Sequence, residues 1–111
     1  MARTIDDVYE SITQNISGGI QGEWNNSVLD IEFNGDSAEF DATFETFDGQ
    51  KKDLEVGYQI FKDFKELYAI MTAEGDHHKW NRATFKLTPD GKFSIDFNWD
   101  QVLADEVESY S

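Results

Sequence analysis

The chain has no cysteine, a single proline and nine basic residues against 23 acidic ones. Without cysteine there is no disulfide framework and no thiolate chemistry, which agrees with a reducing compartment. The shortage of base argues against nucleic acid as a direct ligand, because phosphate binding needs a basic patch. It argues against an anionic membrane surface for the same reason. No apolar run approaches the ~20 residues of a membrane-spanning helix. The opening segment, MARTIDDVYE, has no apolar stretch of a signal peptide. Glycine-rich phosphate loops, calcium loops of the D-x-D-x-D-G kind and serine nucleophile elbows are missing too. The expectation is a cytoplasmic protein that uses no cofactor.

What is present is a core. The 111 residues are 39% hydrophobic and 14% aromatic, with nine phenylalanines. A disordered acidic chain has few aromatics, so a single folded domain over 1–111 is expected despite the net charge of −14. A domain of this size buries roughly two-thirds of the surface of its unfolded chain. That suffices for one core, not for two lobes around a deep cleft.

Ile5, Val8, Tyr9, Ile12 and Ile16 recur at the spacing of one helical face. Thr4 and Asp7 suggest a capping box, and Gly18-Gly19 a stop. From Trp24 to Phe33 the period falls to two, with Leu29, Ile31 and Phe33 on one side and Asp30 and Glu32 on the other. Asn34-Gly35-Asp36-Ser37 reads as a hairpin turn. The return strand alternates Ala38, Phe40, Ala42 and Phe44 with Glu39, Asp41, Thr43 and Glu45. Asp48-Gly49 marks another turn, and Leu54 and Val56 a short third strand.

Residues 58–74 form a second helix with Ile60, Phe61, Phe64, Leu67, Tyr68 and Met71 along its stripe, stopped at Gly75. A final hairpin sets Ala83, Phe85 and Leu87 against Phe93, Ile95, Phe97 and Trp99, joined by Thr88-Pro89-Asp90-Gly91-Lys92. Proline suits the first central turn position and glycine the left-handed one, which places Leu87 opposite Phe93 and Thr84 opposite Asp96. Residues 100–111 form a short helix through Val102, Leu103 and Val107 or fray. The expected fold is α+β, in the order α-β-β-β-α-β-β, with an antiparallel sheet of about five strands and two helices packed on one face.

The first hairpin carries an excess of acid on one side. One register sets Glu32 opposite Glu39 and Asp30 opposite Asp41; another sets Asp30 opposite Glu39. Either way carboxylates face carboxylates, at a cost on the order of 0.2 to 1 kcal/mol per pair. The last hairpin mixes its signs, with Arg82 and Lys86 expected diagonally near Asp96. Acid on strands discourages edge-to-edge aggregation, but one or two charges do that, and lysine does it as well. The alternative is a docking face for a cationic partner, whose on-rate such a field raises.

Other chemistry is less well supported. Paired catalytic carboxylates need a cleft that separates their pKa values, and these lie on an open sheet. His77-His78, with Glu74 and Asp76 nearby, lacks the further ligand pair of a zinc site. Trp99 shares the Phe93 face and is expected in the core; Trp24 and Trp80 are core edges or interface anchors.

Several segments resemble the YezG-like family of bacterial immunity (antitoxin) proteins. They are Val8-Tyr9 and Ile12 on the first helix, Ile20-Gln21-Gly22-Glu23-Trp24 entering the first strand, the aromatic helix 58–74, and KWNRATFKLTPDGKFSIDFNWD over 79–100. Gln21-Gly22 stand where the family commonly has a proline, and the acidic hairpin lies outside the shared motifs. The resemblance implies a non-enzymatic inhibitor that binds the C-terminal domain of a cognate secreted or contact-delivered toxin, often a nuclease. A nuclease must present a basic groove to phosphate, which an acidic face can occupy. Asp30, Glu32, Glu39, Asp41 and Glu45 are then the candidate toxin-binding residues, with Trp24 and Tyr58 as aromatic anchors. A second reading is a small-ligand-binding or enzymatic domain with a pocket lined by Phe40, Phe44, Phe85, Phe93 and Phe97. A third is a nucleic-acid mimic acting on an unrelated basic protein.

Overall fold

A computed structural model describes residues 3–34, 37–73 and 79–109. The chain runs α1 (Ile5–Gly18), β1 (Trp24–Phe33), β2 (Ala38–Thr46), β3 (Lys51–Asp53), α2 (Tyr58–Met71), β4 (Arg82–Leu87), β5 (Phe93–Asn98) and α3 (Gln101–Ser109). The five strands form one antiparallel sheet in the order β3-β2-β1-β4-β5.

Helix α1 starts where the capping box was expected. The Thr4 hydroxyl accepts from the Asp7 N–H, and the Asp7 carboxylate accepts from the Thr4 N–H. Its apolar stripe buries Val8, Ile12 and Ile16. Helix α2 buries Ile60, Phe64 and Leu67. Both stripes face Leu29, Ile31 and Phe33 of β1 and Phe85 and Leu87 of β4 in one cluster. Phe64 is the centre of it, edge-on to Trp80 and Phe85 and 6.3 Å from Phe40.

Four features depart from the sequence reading. There are three helices, not two: residues 101–109 form α3, because Asp100 caps it by accepting the Leu103 N–H. The third strand is Lys51–Asp53, not the segment around Leu54 and Val56. The hairpin register pairs Glu45 with Lys51 and Thr43 with Asp53. Leu54, just past the strand, still donates its N–H to the Ala42 carbonyl at 2.9 Å and is buried in the core at 8% exposure. Trp99 is 42% exposed, since β5 ends at Asn98 and the alternation that would carry the indole inward ends with it. Helix α2 ends at Met71 with Thr72 as its cap; the expected stop at Gly75 lies outside the described residues, as do Gly35 and Asp36 of the first turn.

The phenylalanines of the proposed ligand pocket do not converge on one cavity among the described residues, and Phe93 stays 42% exposed. Phe85 is fully buried and stacks on Phe93 at 5.3 Å, Phe97 lies on Trp80, and Phe40 faces Phe64. Phe44 packs half-buried against the same cluster.

Two turns share one design. In Thr46-Phe47-Asp48-Gly49-Gln50 and Thr88-Pro89-Asp90-Gly91-Lys92 the threonine N–H donates to the carbonyl four residues on. In both, the threonine hydroxyl bonds the aspartate and the glycine N–H returns to the threonine carbonyl. Gly49 and Gly91 sit at φ of 89° and 86°, where L side chains are strained. Each aspartate is held below the usual carboxylate range, chiefly by its threonine hydroxyl.

Candidate functional site

The helices cover one face of the sheet and leave the other open. On that open face the β1–β2 register sets Asp30 opposite Asp41 and Glu32 opposite Glu39, the first of the two registers considered. The β1–β4 and β4–β5 pairings extend each row. One runs Asp41, Asp30, Thr84, Asp96; the next runs Glu39, Glu32, Arg82, Asn98. A third crosses from Asp53 through Thr43 and Val28 to Lys86, and Glu45 stands beside Lys51 at the far end. Carboxylates thus outnumber bases over the whole face, with the excess concentrated in the first two rows.

Hydrogen bonds offset part of this. Thr84 Oγ1 donates to Asp30 at 2.8 Å, and Asn25 Nδ2 donates to Glu45 at 2.9 Å. Arg82 does not turn toward Asp96 as expected. It reaches across to Glu32 at 2.8 Å and to Asp100 at 2.7 Å. Asp100, followed by Glu32, holds the guanidinium more firmly in its charged form, and Arg82 lowers the pKa of Asp100 in turn. The last hairpin therefore lends its arginine to the acidic one. Asp41 and Glu39 have no ion-pair partner among the described residues.

The aromatic candidates sit elsewhere. An irregularity in the ladder between Trp24 and Asn26 shifts the alternation, and Trp24 packs half-buried against the core. Tyr58 is 69% exposed on α2, on the helical side of the sheet, with Lys62 Nζ 5.4 Å from its ring centre. Trp80 is buried, as a core residue. The pair His77-His78 lies outside the described residues.

Two features escaped the sequence reading. Phe47 is 71% exposed at the tip of the β2–β3 turn, two residues beyond Glu45. Its signal was its turn position, equivalent to that of Pro89, where the side chain projects from the hairpin. Asp63 is fully buried on α2. It accepts from Arg3 Nη2 at 2.8 Å, Ser11 Oγ at 2.8 Å and Gln59 Nε2 at 3.0 Å. Its signal was its place on the apolar stripe, three residues after Ile60 and four before Leu67. It ties α1 to α2 and stands on the side of the molecule away from the acidic rows.

At one end of the sheet α3 lies over a cavity of about 170 Å³ bordered by Phe33, Tyr68, Trp80, Trp99, Leu103 and Val107. Asn81 fixes the start of that helix: its side chain donates to the Asp100 carbonyl at 2.8 Å and accepts from the Asp100 N–H at 2.7 Å. No helix among the described residues is long and apolar enough to cross a membrane.

The described residues thus pair an open acidic face with a closed core, and the chain is similar over nearly its whole length to known proteins. The family described as Immunity protein YezG-like matches residues 5–111. A protein named Immunity protein YezG from Bacillus subtilis (strain 168) is 26% identical over a 121-residue alignment that covers 96% of this chain and 80% of that protein. A protein of the same name from Bacillus spizizenii is 27% identical, covering 91% of this chain and 72% of its own length. With nearly its whole length matched, this chain belongs to the family of YezG-like immunity proteins.

Proposed function

We propose that this protein is a non-enzymatic, cytoplasmic inhibitor that binds the C-terminal domain of a cognate toxin through the open face of its sheet, and that this domain is a basic nuclease. The observation that carries the reading is the direct opposition of Asp30 to Asp41 and Glu32 to Glu39 on a solvent-facing surface. Like charges directly opposed on a sheet destabilise it. A fold that keeps several of them together gains from a cation that covers them, and a phosphate-cleaving domain has the complementary groove. Asp30, Glu32, Glu39, Asp41 and Glu45 form the contact. Trp24, packed half-buried against the core, and Tyr58, on the helical side, touch only a partner that reaches beyond that face.

The test is association with the C-terminal domain of the toxin encoded beside this protein. In stopped-flow at low salt, the quadruple variant Asp30→Asn, Glu32→Gln, Glu39→Gln, Asp41→Asn should associate at least about ten-fold more slowly, the lower bound of electrostatic steering. Unchanged or faster association overturns the reading.

A further inference from the structure

The acidic face does not end at the edge of β1 and β2. Between the end of the first hairpin and α3 runs a groove of about 310 Å³. Its walls carry Glu32, Glu39 and Glu106, three carboxylates from three different elements. It shares Phe33, Asn34, Leu103 and Val107 with the cavity under α3, so the two adjoin along this apolar wall. One end is aromatic and the other acidic. Glu32 has Arg82, whereas Glu39 and Glu106 have no ion-pair partner among the described residues.

The wall that α3 supplies is thinly packed. None of its side chains is buried. Val107 is 37% exposed and Trp99, just before the helix, 42%. At the aromatic end the chain's own Lys79 already covers Trp99, its Nζ 4.3 Å from the ring centre, so a visiting charge is directed to the acidic end. Cavities of about 150 Å³ hold a benzene ring, so about 170 Å³ holds a group of that size.

We infer that this groove receives one long cationic side chain of the bound toxin, best an arginine. Such a side chain has an apolar stem to lie along Phe33, Leu103 and Val107, and a charged end to meet Glu39 and Glu106. The planar guanidinium also presents its donors in a fixed fork that matches carboxylates, as an ammonium does less well. Exposed rim charges govern encounter, while a side chain desolvated in a pocket governs how long the complex lasts. The groove would therefore act on dissociation, where the open sheet face acts on association. This inference rests on the proposed toxin-binding reading but can fail separately from it.

The experiment measures on- and off-rates for the same toxin domain against three sets of variants. Val107→Trp fills the groove from an exposed helix position. Glu106→Gln removes a charge that belongs to the groove alone, and Glu106→Lys reverses it in case the tryptophan disturbs α3. The comparison set is Asp30→Asn with Asp41→Asn, outside the groove. Circular dichroism and melting temperature check each fold. Filling or charge reversal should speed dissociation by about 10- to 100-fold, the scale of a lost interface hot spot, with little change in on-rate. An arginine-to-alanine scan of the toxin domain should find one substitution whose loss is not additive with Val107→Trp. If the groove variants dissociate normally while the Asp30 and Asp41 pair associates slowly, the groove inference is overturned and the face reading stands. If neither set changes the kinetics, both are overturned. If dissociation changes with no arginine or lysine coupled to Val107, the groove takes an apolar side chain and the cationic assignment is wrong.

Discussion

Arg3 and Asp63 join the residue before the α1 cap to the buried side of α2, with Nη2 2.8 Å from Oδ1. The same guanidinium also reaches Glu66. Asp63 has no solvent contact, so removing its cation leaves a charge in the interior with only Ser11 and Gln59 as donors. Breaking a buried pair costs about 3 to 5 kcal/mol. Because Arg3 is one-third exposed and water screens that side, Arg3→Ala should lie near the lower limit. Urea unfolding should show a loss of about 3 kcal/mol. A loss under about 1 kcal/mol would mean that the serine and glutamine alone satisfy the carboxylate.

The twin turns give a second prediction. Phe47 and Pro89 occupy equivalent places, and both are exposed, so the turn requires neither side chain. Phe47→Ser should change stability by less than about 0.5 kcal/mol. Gly49→Ala and Gly91→Ala force a Cβ into the left-handed region and should each cost about 1 kcal/mol or more. Thermal melts of the three variants decide it, and equal losses at all three would contradict the shared design.

Salt should act oppositely on folding and on binding. Screening weakens the repulsion between Asp30 and Asp41 and between Glu32 and Glu39, since the Debye length falls from about 10 Å at 0.1 M to about 3 Å at 1 M. The melting temperature should rise between those concentrations. Asp41→Asn alone should stabilise by several tenths of a kcal/mol, within the range of about 0.2 to 1 for cross-strand pairs. The association rate with a basic toxin domain should fall over the same range. A melting temperature that drops with added salt would show that the rows are already neutralised within the fold.

Acid should unfold the protein below the ordinary carboxylate range. Asp7 is held down by the Thr4 backbone N–H, Glu66 by Arg3, Asp100 by Arg82, and Asp48 and Asp90 by the hydroxyls of Thr46 and Thr88. A carboxyl whose pKa is lower folded than unfolded adds stability above its unfolded value and loses it as pH falls through the folded one. Stability should therefore hold from neutrality to about pH 4, the unfolded carboxylate value, and drop below it. Melting temperatures from pH 7 to pH 2 test this. A rise throughout the acid limb would mean that relief of the net charge of −14 outweighs the lost hydrogen bonds.

Where local chemistry determines structure, the sequence was legible. The capping box at Thr4, the limits of β1 and the pairing of Leu87 with Phe93 all follow from spacing and turn residues within a few positions. The acidic rows were legible for the same reason, because a period of two fixes which side chains share a face. What was hidden depends on distant partners. Arg3 and Asp63 are 60 positions apart, and no local pattern announces a buried pair. Arg82 chose Glu32 and Asp100 over its diagonal neighbour because β1 and the start of α3 converge beside it. Trp99 looked like a core residue until the end of β5 broke the alternation.

Arg82 has a further consequence. One guanidinium serves two clients, Glu32 on the open sheet and Asp100 at the foot of α3. A visiting cation that engages Glu32 competes for that carboxylate and frees the guanidinium to concentrate on Asp100. On the proposed reading, the foot of the helix would then be gripped harder as the sheet is occupied. The two ends of the acidic surface would then answer each other like the pans of a balance, with Arg82, which touches both carboxylates, as the beam.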